Sequence, residues 1–172
     1  MSTAPICEAL KRLEQEGVVT VLPHRGIRVN KLSSGQIREA YIVREGLEIQ
    51  AARIVAGEAN KGILAHLRLT TEKIEELAGE GKYQEAAYAD YEWHLEMVRS
   101  ARCEMLTERF EQLSTVCLLS EGQWAPTGDV EEWTHSDLVE ALESGDPEQA
   151  EKLIRHHIAS YASKVGMNRP KK

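Results

Sequence analysis

Four side chains able to bind a metal ion recur at helical spacing along the chain: Asp90, His94, His135 and His157. Asp90 and His94 stand one helical turn apart and so share a face. That face continues through Tyr83, Ala86, Ala87, Met97, Val98 and Ala101, a series that belongs in a core. His157 lies on a second such series with Ala150, Leu153, Ile154, Tyr161 and Val165, whereas His156 shares its face with Gln149, Lys152, Ser160 and Ser163. His135 aligns with Leu138 and Leu142. Three imidazoles and one carboxylate are therefore available to one interior, and bundle interiors are where metal sites are built. Neutral imidazole suits zinc, nickel, copper or iron. A cation also offsets the cost of burying a carboxylate. The competing reading pairs Asp90 with His94 and makes His135 and His157 hydrogen-bonded core histidines. The pattern alone leaves both readings open.

Arg44 interrupts another apolar series, Ile37, Ala40, Tyr41, Leu47, Ala51, Ile54 and Val55. An arginine on such a face is rarely left unpaired. Either it forms an internal ion pair with Glu48, one turn on, or its planar fork holds the carboxylate of a ligand near the metal. The two coexist if Glu48 orients Arg44.

The elements that must position these groups are mostly helices. The chain has 172 residues, a mass of 19.3 kDa, 42% apolar and 28% charged residues. Those values fit one ordinary domain, with or without a small appendage, and exclude collagen-like or disordered chains. No apolar run approaches the ~18 residues of a membrane span, and the opening MSTAPICEALKR lacks the apolar core of a secretory signal. No membrane partner and a cytoplasmic location are expected. Cys7, Cys103 and Cys117 form no CxxC pair and are odd in number, which excludes a disulfide framework and fits a reducing compartment. The net charge of −7 is uneven, with +2 over residues 1–31 and −9 over the rest. An acidic body of this kind is not a surface built for nucleic acid.

Residues 4–16 predict a helix with Pro5 near its start, an apolar stripe of Ile6, Ala9, Leu10 and Leu13, and Gly17 as its stop. VVTVL and GIRVN, separated by Pro23-His24-Arg25, predict a β-hairpin. Helices follow near 34–57, 60–80, 82–101, 104–121, 129–144 and 147–166, with 122–128 as the clearest loop. Gly145-Asp146-Pro147-Glu148 predicts a sharp stop and restart. The expected fold is mainly α: an antiparallel bundle of about six helices over residues 33–166, preceded by one helix and a hairpin over 1–31 and followed by a tail at 167–172. Trp93, Trp124, Trp133 and Tyr161 read as core or loop anchors, and His24 and His66 as surface groups.

The head, from Pro5-Ile6-Cys7-Glu8-Ala9-Leu10-Lys11-Arg12-Leu13-Glu14 through Gly17-Val18-Val19 to Arg25-Gly26 and Val29, resembles the end of a GntR-type winged helix-turn-helix. It corresponds to the recognition helix and wing. Val43-Arg44 with Leu47-Glu48 looks like the start of the all-helical FCD domain of the FadR subfamily. Asp90 with Trp93-His94, then His135, Ser144-Gly145-Asp146 and His157-Ile158 are similar to that family's metal motif. The family spacing of 22 residues after His135 selects His157, in agreement with the apolar series.

The resemblance implies a dimeric bacterial transcription regulator that binds operator DNA and responds to a small organic acid. It implies that Asp90, His94, His135 and His157 hold a divalent ion, with zinc and nickel favoured and manganese allowed, and that Arg44 makes a second contact to the acid. It places Ser2, Thr3, Arg25 and Gly26 at DNA-facing positions. The chain departs from the family at Thr3 and Cys7, where arginine is usual, and at Cys103, where a capping Asn is usual. It begins where the recognition helix begins, so a shortened head is expected. Three functions follow in order: a metal- and acid-responsive regulator acting as a homodimer; a metal- and carboxylate-binding module without autonomous DNA binding; and a small metalloenzyme. The last ranks lowest, because no second inward carboxylate is placed as a general base.

Overall fold

The computed structural model describes residues 3–15, 17–31, 33–58, 61–121 and 135–164. The expectations for Ser2, the 122–128 loop, Trp124, Trp133, residues 129–134, Val165, the 167–172 tail and the side chain of Tyr161 fall outside the residues described. The element order is α1 (Ala4–Gln15), β1 (Val19–Leu22), β2 (Gly26–Val29), α2 (Ser34–Glu58), α3 (Lys61–Gly79), α4 (Tyr83–Ser100), α5 (Glu104–Glu121), α6 (His135–Ser144) and α7 (Pro147–Lys164). Among the described residues six helices thus follow a helix and hairpin, as the periodicity predicts.

The head is held by polar ties more than by a core. Thr3 and Cys7 are exposed, and α1 buries none of its residues. Ile6 is 62% exposed. Among the described residues of the head only Val18 and Val19, at the base of the hairpin, are buried. Asn30 closes that base: its backbone N–H donates to Val18 O, and its Nδ2 donates to Gly17 O, each at 2.8 Å. The hairpin turns through Pro23-His24-Arg25 with the Arg25 N–H donating to Leu22 O at 3.0 Å. His24 has φ 61° and Gly26 φ 90°, so the turn requires two left-handed residues and assigns one to glycine. Among the described residues α1 packs only against β1.

The bundle begins with a reciprocal cap. Ser33 Oγ accepts the Gln36 N–H, and Gln36 Oε1 accepts the Ser33 N–H, satisfying two donors at the start of α2. From there α2 runs through the middle of the body, packing on α4, α5, α6 and α7. The restart between α6 and α7 forms as expected. Gly145 takes φ 73°, and Asp146 Oδ1 accepts the N–H groups of Glu148 and Gln149 at 2.9 and 3.2 Å.

Two details of the expected faces change. In α2 the buried face runs through Glu48 and Ala52, and Leu47 and Ile54 are only half-buried. A helix covered by four neighbours has no narrow stripe for periodicity to find. In α4, Tyr83 is 47% exposed, and the buried face begins at Ala86.

Candidate metal centre

Three helices deliver the donors. α4 supplies Asp90 and His94, α6 supplies His135 at its first residue, and α7 supplies His157. Each offers one ligand atom, and all four atoms lie within 4.8 Å of one another. His94 is fully buried, and the other three are 3% to 9% exposed. His94 Nε2 lies 3.2 Å from His157 Nε2 and 3.8 Å from Asp90 Oδ1. His135 Nε2 approaches Asp90 Oδ1 to 2.9 Å. His156 is exposed, one residue from His157 but outside the cluster, and His24 and His66 are exposed as well.

The 2.9 Å contact lacks the angles of a hydrogen bond, so Asp90 Oδ1 and His135 Nε2 are buried with no hydrogen-bond partner among the described residues. Such atoms cost free energy unless something else meets them. Donors bound at ~2.1 Å to one ion stand about 3–4 Å from each other; three of the six separations, 2.9, 3.2 and 3.8 Å, lie near that spacing, and all six are within 4.8 Å. Three imidazole nitrogens and one carboxylate oxygen suit zinc or nickel. The residues present therefore fit a divalent ion.

A second layer lies behind the donors. Glu48, on α2, is fully buried. Its Oε1 accepts the Arg44 Nε–H at 2.5 Å, and its Oε2 meets His94 Nδ1. The Arg44 guanidinium also lies 5.7 Å from the Tyr41 ring centre and 5.9 Å from that of Phe110. Trp93 walls the donors, with its ring centre 5.1 Å from that of His94 and 4.9 Å from that of His135. The ion pair expected of Arg44 and Glu48 is present. Nothing in the sequence pairs Glu48 with a histidine. Its place one turn after Arg44 was the available signal, and the contact with His94 is purely tertiary.

The charges follow from these contacts. Burial pushes the Asp90 and Glu48 carboxyls up, yet Glu48 ends below the usual carboxylate range and Asp90 well below it. For Asp90 the opposing causes are His94, then His135 and His157; for Glu48 they are His94 and Arg44. His157 is held well below its ordinary 6.5 by burial, then by His135 and His94. An imidazole depressed in the folded state lets the unfolded chain take the proton first, so stability falls as pH drops through 6.5. The two depressed carboxylates contribute stability above their ordinary 3.8 and 4.5, and it is lost as pH falls below those values. All three act in one direction. The melting temperature of chelator-treated protein is expected to fall on acidification from about pH 8 to about pH 5, and His157→Gln is expected to flatten that decline. A melting temperature independent of pH over this range would exclude a buried neutral His157.

Of the residues with expected DNA contacts, Thr3 precedes α1 and is exposed, and Arg25 and Gly26 are exposed at the hairpin tip. No described helix is long and apolar enough to cross a membrane.

A model of the FCD domain matches residues 39–160. The chain is 32% identical over 164 residues to the "Probable D-xylose utilization operon transcriptional repressor" of Paenarthrobacter nicotinovorans, covering 93% of this chain and 71% of that protein. It is 24% identical over 170 residues to the HTH-type transcriptional repressor RspR of Escherichia coli, covering 96% and 74%. Among solved structures it is similar to E. coli McbR/YncC, with TM-score 0.86 at 20% identity over 97% of this chain and 81% of that one. A GntR family member from Pseudomonas syringae pv. tomato gives TM-score 0.66 at 22% identity over 97% and 70%. At these identities the structural likeness speaks for the fold alone.

Proposed function

Since the chain belongs to the GntR family of transcriptional regulators, in the branch that carries an FCD domain, we propose that it is a regulator whose helical body binds one divalent ion and a small organic acid. Membership places it among transcription regulators and not among enzymes. The observation that carries the metal reading is the pair of buried, unpartnered atoms, Asp90 Oδ1 and His135 Nε2, inside a cluster of four convergent donors. In this reading Asp90, His94, His135 and His157 are the ligands, with zinc or nickel preferred and manganese allowed. A bound ion supplies positive charge for a carboxylate.

Arg44 is the chain's own contribution to reading the acid. Its Nε–H donates to Glu48, and its planar guanidinium is the group that meets a ligand carboxylate in this reading. Residues 33–166 act as the effector-binding and dimerising body, and 1–31 as the DNA-facing head with Ser2, Thr3, Arg25 and Gly26. Acid binding shifts the population of homodimer arrangements and so the spacing of the heads on an operator. The setting is the cytoplasm.

The test is carboxylate binding by zinc-loaded protein, titrated with acetate and succinate. Arg44→Lys keeps a cation beside Glu48 but loses the planar fork. It is expected to retain zinc and to bind the carboxylate about 10- to 100-fold more weakly, the worth of one charged hydrogen bond. Arg44→Lys binding acid as well as the parent would remove Arg44 from the acid site. A parent chain that takes up neither zinc nor nickel would refute the metal reading.

A further inference from the structure

We propose that Glu48 is a positioning residue of the metal site, fixing which nitrogen of His94 is offered to the ion while its other oxygen holds Arg44. The inference rests on the metal-binding reading above and adds a residue from a helix that supplies none of the four donors.

Glu48 is fully buried, and each of its oxygens meets a different group: Oε1 the Arg44 Nε–H and Oε2 the Nδ1 of His94. An ionised carboxylate only accepts hydrogen bonds, and a neutral imidazole carries one N–H and one lone pair. His94 Nδ1 therefore carries the proton and donates to Glu48, which leaves the lone pair on Nε2. Nε2 is the nitrogen that faces the cluster, 3.2 Å from His157 Nε2 and 3.8 Å from Asp90 Oδ1. In the opposite tautomer a lone pair would face the carboxylate, and an N–H would point to the place of the ion. Ligating histidines are ordinarily fixed in this way through their second nitrogen. Here the fixing carboxylate also holds the arginine that reads the acid, so one buried side chain spans both halves of the proposed site.

Glu48→Gln tests this at almost constant shape. The amide has one acceptor oxygen for two donors, and only one of those donors can change. Arg44 is always a donor, whereas an imidazole can move its proton. The amide oxygen should therefore turn to Arg44, and its NH2 should donate to His94 Nδ1, shifting the ring proton to Nε2. In metal-free protein with 15N-labelled histidine, the His94 ring signals are expected to change from the Nδ1–H to the Nε2–H pattern. Zinc affinity is expected to fall about 10- to 100-fold. The double variant Arg44→Met, Glu48→Gln removes the competing donor, frees the amide oxygen for His94, and is expected to recover most of the zinc affinity.

A ring pattern already Nε2–H in the parent overturns the proposal. So does unchanged zinc affinity in Glu48→Gln when the parent binds zinc, and that result leaves the four ligands standing. A parent that binds neither zinc nor nickel overturns both readings. If Glu48→Gln fails to fold, the double variant carries the test: strong zinc binding with the Nδ1–H pattern supports the proposal, and weak binding overturns it.

Discussion

His157→Ala is expected to bind zinc more than about 100-fold more weakly than the parent chain, since even outer partners of metal ligands cost 10- to 100-fold. His156→Ala is expected to keep its full complement of ion. The two residues are adjacent in α7, but His157 is buried with its Nε2 3.2 Å from that of His94, and His156 is exposed. Equilibrium dialysis against zinc, with metal analysis of the protein, reads the difference directly. Thermal unfolding adds a second reading, because an ion that binds only the folded chain raises its melting temperature. The zinc-induced rise should vanish in His157→Ala and persist in His156→Ala. Equal zinc content in the two variants would refute the ligand set.

Adjacent helical residues differ by a large rotation about the axis, so choosing between His156 and His157 needs only periodicity. The same reasoning makes Asp90 and His94 legible as an inward pair, and capping chemistry makes the stop at Gly145 and restart at Asp146-Pro147 legible. What periodicity cannot supply is which inward groups meet. The approach of His135 to Asp90 joins α6 to α4, and the bond from His94 to Glu48 joins α4 to α2. Neither has a local signature. The rotation of the α2 face from Leu47 toward Glu48 has the same origin, because partners on several sides outweigh the helix's own weak stripe. Glu48 therefore reads from sequence as a partner for Arg44 and only in three dimensions as a partner for His94. The part of the site least visible in the sequence is the part that connects its two proposed ligands.

Trp93→Ala is expected to give the largest loss of stability of any single change near the site. The indole is fully buried, and its Nε1–H donates to Leu67 O at 3.1 Å, tying α4 to α3. Truncating a buried tryptophan costs about 3–5 kcal/mol, which in a chain of this size lowers the melting temperature by roughly 6–20 °C. The effect should not stop at stability. The Trp93 ring stands edge-on to His94 at an interplanar angle of 73° and to His135 at 65°. Removing it takes packing from two donors on different helices at once, so the zinc-induced rise in melting temperature should shrink as well as the starting value. Trp93→Phe separates the two contributions: it keeps an aromatic wall but loses the Nε1–H, so it should cost less stability and retain most of the zinc response. If Trp93→Ala lowers the melting temperature as expected while its zinc affinity stays parental, the donor geometry is held by Glu48 and the helix packing, not by the indole wall. A near-parental melting temperature for Trp93→Ala would contradict the burial and the α3–α4 contact themselves.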